Sequence, residues 1–182
     1  DETTKDKIVS YYAWREDTNE IYVVNASDLK WMTMKPKDIL SSIAVLPHIL
    51  DTKSIDVTLN GKKNTIEFQL DKENPKDTNL ITATLNGKKV DAEQAKTYFQ
   101  CLQLTYIQDI NEKQPDKEPV ATIQYNYYNG GKDVVEVYVL DDLSCIISVN
   151  GNNSFTGRAG FVDKLVKELG NLEAGKKVDV DW

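Results

Sequence analysis

The stretch from Leu80 to Leu104 most restricts what this chain can fold into. Leu80-Ile81-Thr82-Ala83-Thr84-Leu85 reads as a strand, Asn86-Gly87 suits a tight hairpin turn, and Val90-Asp91 ends a short return strand and opens a helix. The pattern returns near the C-terminus as Cys145-Ile146-Ile147-Ser148-Val149, then Asn150-Gly151, then Phe155-Thr156 opening a second helix. Asn60-Gly61 and Asn129-Gly130 form another such pair at a different offset, so the duplication is approximate. A helix with one apolar stripe must bury it on a sheet face. The expected class is α+β: antiparallel sheets each covered by a helix, in two approximate strand-strand-strand-helix repeats.

Ile8 to Trp14 and Ile21 to Val24 are expected to pair as an opening hairpin around the polar run Arg15 to Glu20. Pro36 can begin a helix, and Ile39, Leu40, Ile43 and Leu46 follow at helical spacing until Pro47, which predicts a first helix over Lys37 to Leu46. Ser54 to Leu59 alternates, turns at Asn60-Gly61 and resumes through Ile66, Phe68 and Leu70; Asp71 to Asn79 is a polar loop. In the helix from Asp91 to Leu104, Asp91 is the N-cap, Gln94 is placed to reach back in a capping box, and Ala95, Tyr98, Phe99 and Leu102 make the buried stripe. Strands follow over Val120 to Tyr128, Val134 to Leu140 and Leu143 to Val149, then a helix over Arg158 to Leu169 and a last edge strand at Val178 and Val180. Asn111 to Pro119, polar with two prolines, is the one linker. The expected organisation is 1–53, the tail of a preceding repeat; 54–110, repeat one; 111–119, linker; 120–182, repeat two.

Composition excludes several classes of function. The 182 residues are 40% hydrophobic and 28% charged, as in a folded domain, and the net charge of −7 repels polyanions. Nucleic acid is not an expected partner. No apolar run is long enough for a membrane helix, and the polar start, Asp1 to Lys7 without Met, suggests a trimmed chain or a processed mature form; membrane contact is expected only through an anchor outside this sequence. Cys101 and Cys145 are too few for a disulfide framework and read as small core residues.

Ile21-Tyr22-Val23-Val24, a stretch ending Ile39-Leu40, then Asp51 to Val57 entering Gly61, and finally Phe68, give an element order that resembles the bacterial family catalogued as domain of unknown function 4340. The resemblance spans nearly the whole chain and rests on hydrophobic pattern rather than on a catalytic signature. It implies a repeated α+β module of envelope proteins, exposed outside the membrane behind an N-terminal anchor, some relatives accompanying ABC-transport or gliding-type machinery. It supplies no catalytic residue.

The residues themselves offer few reaction centres. His48 is the only histidine, which excludes a histidine-built metal site. Asp141-Asp142 with Asp179 and Asp181 lacks the alternating spacing of a calcium loop, and Asp is common in a hairpin turn. Nucleotide, hydrolase and zinc-protease signatures are absent, and the sequons at Asn25 and Asn152 are short enough to arise by chance. Tyr125, Tyr127 and Tyr128, with Tyr138 on the neighbouring strand, are the candidate binding residues, because aromatic faces on a sheet stack on sugars or clamp peptides. Trp31 is a similar anchor or a core residue. No catalytic residue, metal or cofactor is assigned. The expected function is a non-enzymatic, extracytoplasmic structural or protein-interaction module of the bacterial envelope, its partner an envelope protein. Alternatives are a glycan- or peptide-binding module using the tyrosines and, more weakly, a hydrolase whose carboxylate pair sequence does not locate.

Overall fold

The computed structural model describes residues 10–35, 38 and 41–181. The chain divides into two compact units, Asp1–Leu40 and Ser41–Trp182. The boundary expected after residue 53 falls inside a strand of the larger unit.

In the smaller unit β1 (Ser10–Arg15) and β2 (Glu20–Asn25) form the expected antiparallel hairpin, with Tyr12 opposite Val23 and Trp14 opposite Ile21. Ile8, the expected start, lies outside the described residues. The turn is held by its own polar groups: Trp14 Nε1–H donates to Asn19 Oδ1 at 3.2 Å, and the Arg15 guanidinium donates to both carboxylate oxygens of Asp17 at 2.7 and 2.9 Å. Asn19, at φ 53°, takes the left-handed conformation this side chain tolerates. A 3-10 stretch, Ala26–Thr33, follows and breaks its helical angles at Leu29.

The helix expected over Lys37 to Leu46 is not present in its second half; Lys37, Ile39 and Leu40 lie outside the described residues. Ile43 instead forms an isolated antiparallel bridge with Tyr106. The Ala44 amide donates to the Thr105 carbonyl, and the Ile107 amide donates to that of Ser42. A helix this short is marginal in water, so tertiary pairing that uses the same backbone groups displaces it.

The larger unit runs β3 (Thr52–Leu59), β4 (Lys62–Gln69), β5 (Thr82–Leu85), β6 (Lys88–Val90), α1 (Ala92–Gln103), β7 (Asp109–Ile110), β8 (Ala121–Tyr127), β9 (Lys132–Val139), β10 (Ser144–Val149), β11 (Asn152–Arg158) and α2 (Gly160–Glu173). The mixed α+β class is as expected, but its strands join in one nine-stranded sheet, ordered β6-β5-β4-β3-β8-β9-β10-β11-β7. All its pairings are antiparallel. Each half carries four strands before its helix. The extra strand in the second half is β11, where the sequence suggested that a helix opens at Phe155-Thr156. Gly157 explains the strand: a Cβ there would lie 2.4 Å from Ile147 Cδ1 and 2.9 Å from the Tyr106 carbonyl, so only glycine lets the backbone pass. Residues 111–119 are tethered to β11. The buried Asn111 donates to the Asn153 carbonyl at 2.7 Å, and Asn153 donates to Gln114 at 3.0 Å.

Alternation sorts the sheet faces. Ile55, Val57, Leu59, Ile66, Phe68, Ala121, Ile123, Tyr125, Val135 and Val137 are buried, all on one face. On that face Phe99 of α1 meets Phe68 and Tyr125 edge-on, with ring centroids 5.9 and 6.2 Å apart. The opposite face carries Ser54, Asp56, Thr65, Gln124 and Asn126, cross-linked by hydrogen bonds from Thr65 to Asp56 (2.7 Å) and from Asn126 to Ser54 (3.1 Å).

Asp91 caps α1 as expected, accepting from the Gln94 amide at 2.9 Å, and Ala95, Tyr98, Phe99 and Leu102 are buried. The capping box does not close, because Gln94 Oε1 accepts from the Val178 amide at 2.7 Å instead. That bond and one from the Asp179 amide to Glu168 at 3.0 Å hold the C-terminal segment, so the edge strand expected at Val178 and Val180 is replaced by coil with Val178 buried.

Candidate functional site

The four tyrosines do not form one platform. Tyr125 is fully buried under α1, a core residue rather than a binding residue. Tyr138 stands on the opposite face, half-buried, and donates to Glu136 at 3.1 Å. Burial, together with the charges of Glu136 and Glu118, raises its hydroxyl pKa. Tyr127 is half-buried and Tyr128 exposed, where β8 turns. Tyr127 donates to Asp133 at 2.6 Å and Tyr128 to the Phe68 carbonyl at 2.8 Å. Burial and the Asp133 carboxylate raise the Tyr127 pKa, so its hydroxyl stays protonated. Tyr127 and Tyr128 line an opening of about 480 Å³ with Pro47, His48, Asp51 and Asp133. Their hydroxyls are committed to protein partners, so their ring faces are what they offer.

The other singled-out residues have local roles. His48 is exposed, its Nδ1 3.9 Å from Asp51 Oδ2. The Ser144 hydroxyl and the Leu143 and Ser144 amides, the latter two donating to Asp141 at 2.9 and 2.8 Å, hold its carboxyl below the usual range and make it a turn residue. Asp179 and Asp181 lie in the C-terminal segment, where the Asp181 carbonyl accepts from Lys164 at 2.6 Å. Among the described residues no three His, Cys, Asp or Glu side chains are grouped so as to hold a metal ion. Cys101 and Cys145 are buried free thiols, both pushed up to about 11 by burial. No described helix is long and apolar enough to cross a membrane.

The hairpin carries exposed apolar side chains. Its register puts Tyr12, Trp14, Ile21 and Val23 on one face, and they are 83%, 62%, 69% and 67% exposed. The other face holds Tyr11 and Tyr22, at 37% and 45%. Trp31, Met32 and Met34 add exposed apolar area in the segment that follows. Sequence reasoning read this hairpin only as a fragment of a preceding repeat. The available signal was that both strands are apolar at successive positions, which a hairpin lying on a single core does not need.

No protein-family model matches the chain, and neither a curated protein nor a solved structure is significantly similar to it.

Proposed function

We propose that the chain is a non-enzymatic protein-interaction module of the bacterial cell envelope, extracytoplasmic, built on a duplicated α+β unit and contacting an envelope partner protein through the β1–β2 hairpin. The observation that carries this reading is the contiguous face of Tyr12, Trp14, Ile21 and Val23, exposed on a two-stranded sheet. Such a sheet is at best marginally stable alone, and an exposed aromatic-aliphatic patch of this kind marks an association surface. Charge favours a protein over a lipid surface as the occupant. Residues 10–35 carry Glu16, Asp17, Glu20 and Asp28 against Arg15, Lys30 and Lys35, so they lack the excess of Lys and Arg with which peripheral membrane binders surround their apolar face. The envelope location comes from the resemblance to the domain of unknown function 4340 family. Duplication is supported by the matching order of four strands and a helix in each half.

The test is a photo-crosslinking side chain at position 12 of the full chain in cells, with position 76 in the exposed 71–79 loop as control. Expected is a crosslink from position 12 to one distinct protein, lost when Ile21 and Val23 become serine. Crosslinks only to lipid or to a second copy, none above the control, or recovery of the chain from the cytoplasmic fraction would overturn the reading. A second reading, a glycan- or peptide-binding module, is favoured by the opening beside Tyr127 and Tyr128. It requires titratable binding of a soluble oligosaccharide or peptide that Tyr128→Ser abolishes.

A further inference from the structure

A separate cavity of about 300 Å³ lies between the end of α1, the segment that follows it, β10 and the first turn of α2. Its wall is made by Leu104, Tyr106, Cys145, Ile147 and Phe161. The wall is apolar in chemistry as well as in name. Thr105, the polar residue within it, donates its hydroxyl to the Leu102 carbonyl at 3.0 Å. Cys145 is buried, and with its thiol pushed up to about 11 it is a neutral surface at physiological pH. Two of the wall residues are packed against Gly157, where a Cβ would lie 2.4 Å from Ile147 Cδ1 and 2.9 Å from the Tyr106 carbonyl oxygen.

Two polar groups converge at one lip. Arg158, at the end of β11, and Gln108 border both this cavity and an adjoining opening toward Asp142 and Leu143. Among the described residues the Arg158 guanidinium makes no ion pair, and neither it nor the Gln108 carboxamide makes a side-chain hydrogen bond to protein. In a chain of net charge −7, a guanidinium left unpaired beside an apolar cavity is a ready donor to one carboxylate, whose two oxygens match its planar fork. Asp142 across the opening disfavours a dianion. At the ~30 Å³ a water molecule occupies in the liquid, the cavity holds about ten non-hydrogen atoms.

We propose that this cavity binds a medium-chain monocarboxylate, its alkyl chain against Leu104, Ile147 and Phe161 and its carboxylate on Arg158 and Gln108. This site is independent of the hairpin.

Calorimetric titration of the full chain with octanoate and with octanol, which has the same chain length and no charge, tests it. Octanoate should bind at least tenfold more tightly than octanol. Arg158→Gln should erase that preference while leaving octanol binding unchanged, and Leu104→Trp, which fills the cavity, should weaken both. Leu104→Trp can also perturb folding, so amide chemical shifts of the unmodified chain give a second reading: octanoate should move Ile147, Arg158 and Phe161 and leave β3 to β6 still. Absence of binding, equal affinity for the two molecules, octanoate affinity indifferent to Arg158→Gln, or shifts confined to other residues would each overturn the proposal.

Discussion

The hydroxyl of Tyr125 is buried with no hydrogen-bond partner, in a ring otherwise packed edge-on against Phe99. Burial raises its pKa, so it remains neutral. Removing an unsatisfied buried hydroxyl relieves a desolvation cost, whereas removing the ring opens a cavity. Tyr125→Phe is expected to leave stability unchanged or raise it, and Tyr125→Ala to lower it by about 3–5 kcal/mol in urea unfolding. Glu168 is a different case, a fully buried carboxylate whose Oε2 accepts two hydrogen bonds while Oε1 accepts none and faces Lys164 Nζ at 3.4 Å. Burial pushes its pKa up, but hydrogen bonds from Asn171 (2.9 Å) and the Asp179 amide (3.0 Å) and the charge of Lys164 more than offset this and hold it below the ordinary range. A carboxylate with a depressed folded pKa adds stability that is complete above its unfolded value, about 4.3, and lost as pH falls through the folded value. The melting temperature of Glu168→Gln should therefore lie below that of the unmodified chain at pH 7, with the gap narrowing toward pH 3. A pH-independent gap would mean that the charge of Glu168 does not hold the C-terminal segment.

At the scale of elements, the Asn-Gly turns do more than reverse the chain. Asn60, Asn86 and Asn150 all lie at positive φ, near 50°, each followed by a left-handed glycine. Asn86 also reaches the next hairpin: its amide donates to the Thr65 carbonyl at 2.8 Å, and its Oδ1 accepts from the Thr65 amide at 2.9 Å. Asn150 repeats this with Val134, both bonds being 2.8 Å. Each of these asparagines thus bridges two hairpins of its half. Alanine at either position gives up the side-chain bond and strains the left-handed backbone, an expected loss of about 2 kcal/mol. Asn129, whose φ is not positive and whose side chain bonds only the nearby Gly131 amide, should cost less on the same substitution. Equal losses at the three positions would remove the bridging role. Within α1, Leu102→Ala should cost about 2–5 kcal/mol, since Leu102 is fully buried.

For the whole molecule, the seam of the large sheet is the pairing of β3 with β8, which joins strands distant in sequence along nearly their full length. The larger unit therefore has a continuous core of its own. A chain limited to residues 41–182 is expected to fold cooperatively, its circular dichroism melt within a few degrees of the full chain. A molten or aggregated fragment would show that the first unit is structural and that its apolar face serves the fold rather than a partner.

Much of this was legible in the residues. Alternation at Ile55, Val57 and Leu59 and the Asn-Gly dipeptides specify hairpins locally, because a period of two and a left-handed pair leave few other conformations. The stripe on α1 and its Asp91 cap are equally local. What the sequence could not decide required knowing which distant groups meet. Ser42 to Ala44 gave up helical bonds for the backbone of Thr105 to Ile107, and Gln94 left its own helix end for Val178. The candidate site was the least legible part. Period two separates Tyr125 and Tyr127 from their immediate chain neighbours, but only the placement of α1 made Tyr125 core, and only the meeting of residues 104–108 with β10, Arg158 and Phe161 formed the cavity. Local patterning by itself determined the hairpins and helix faces of this protein, since propensity and periodicity act over neighbouring residues. The tertiary structure alone decided which face is core, where strands join and where a cavity opens, because these depend on contacts between residues far apart in sequence.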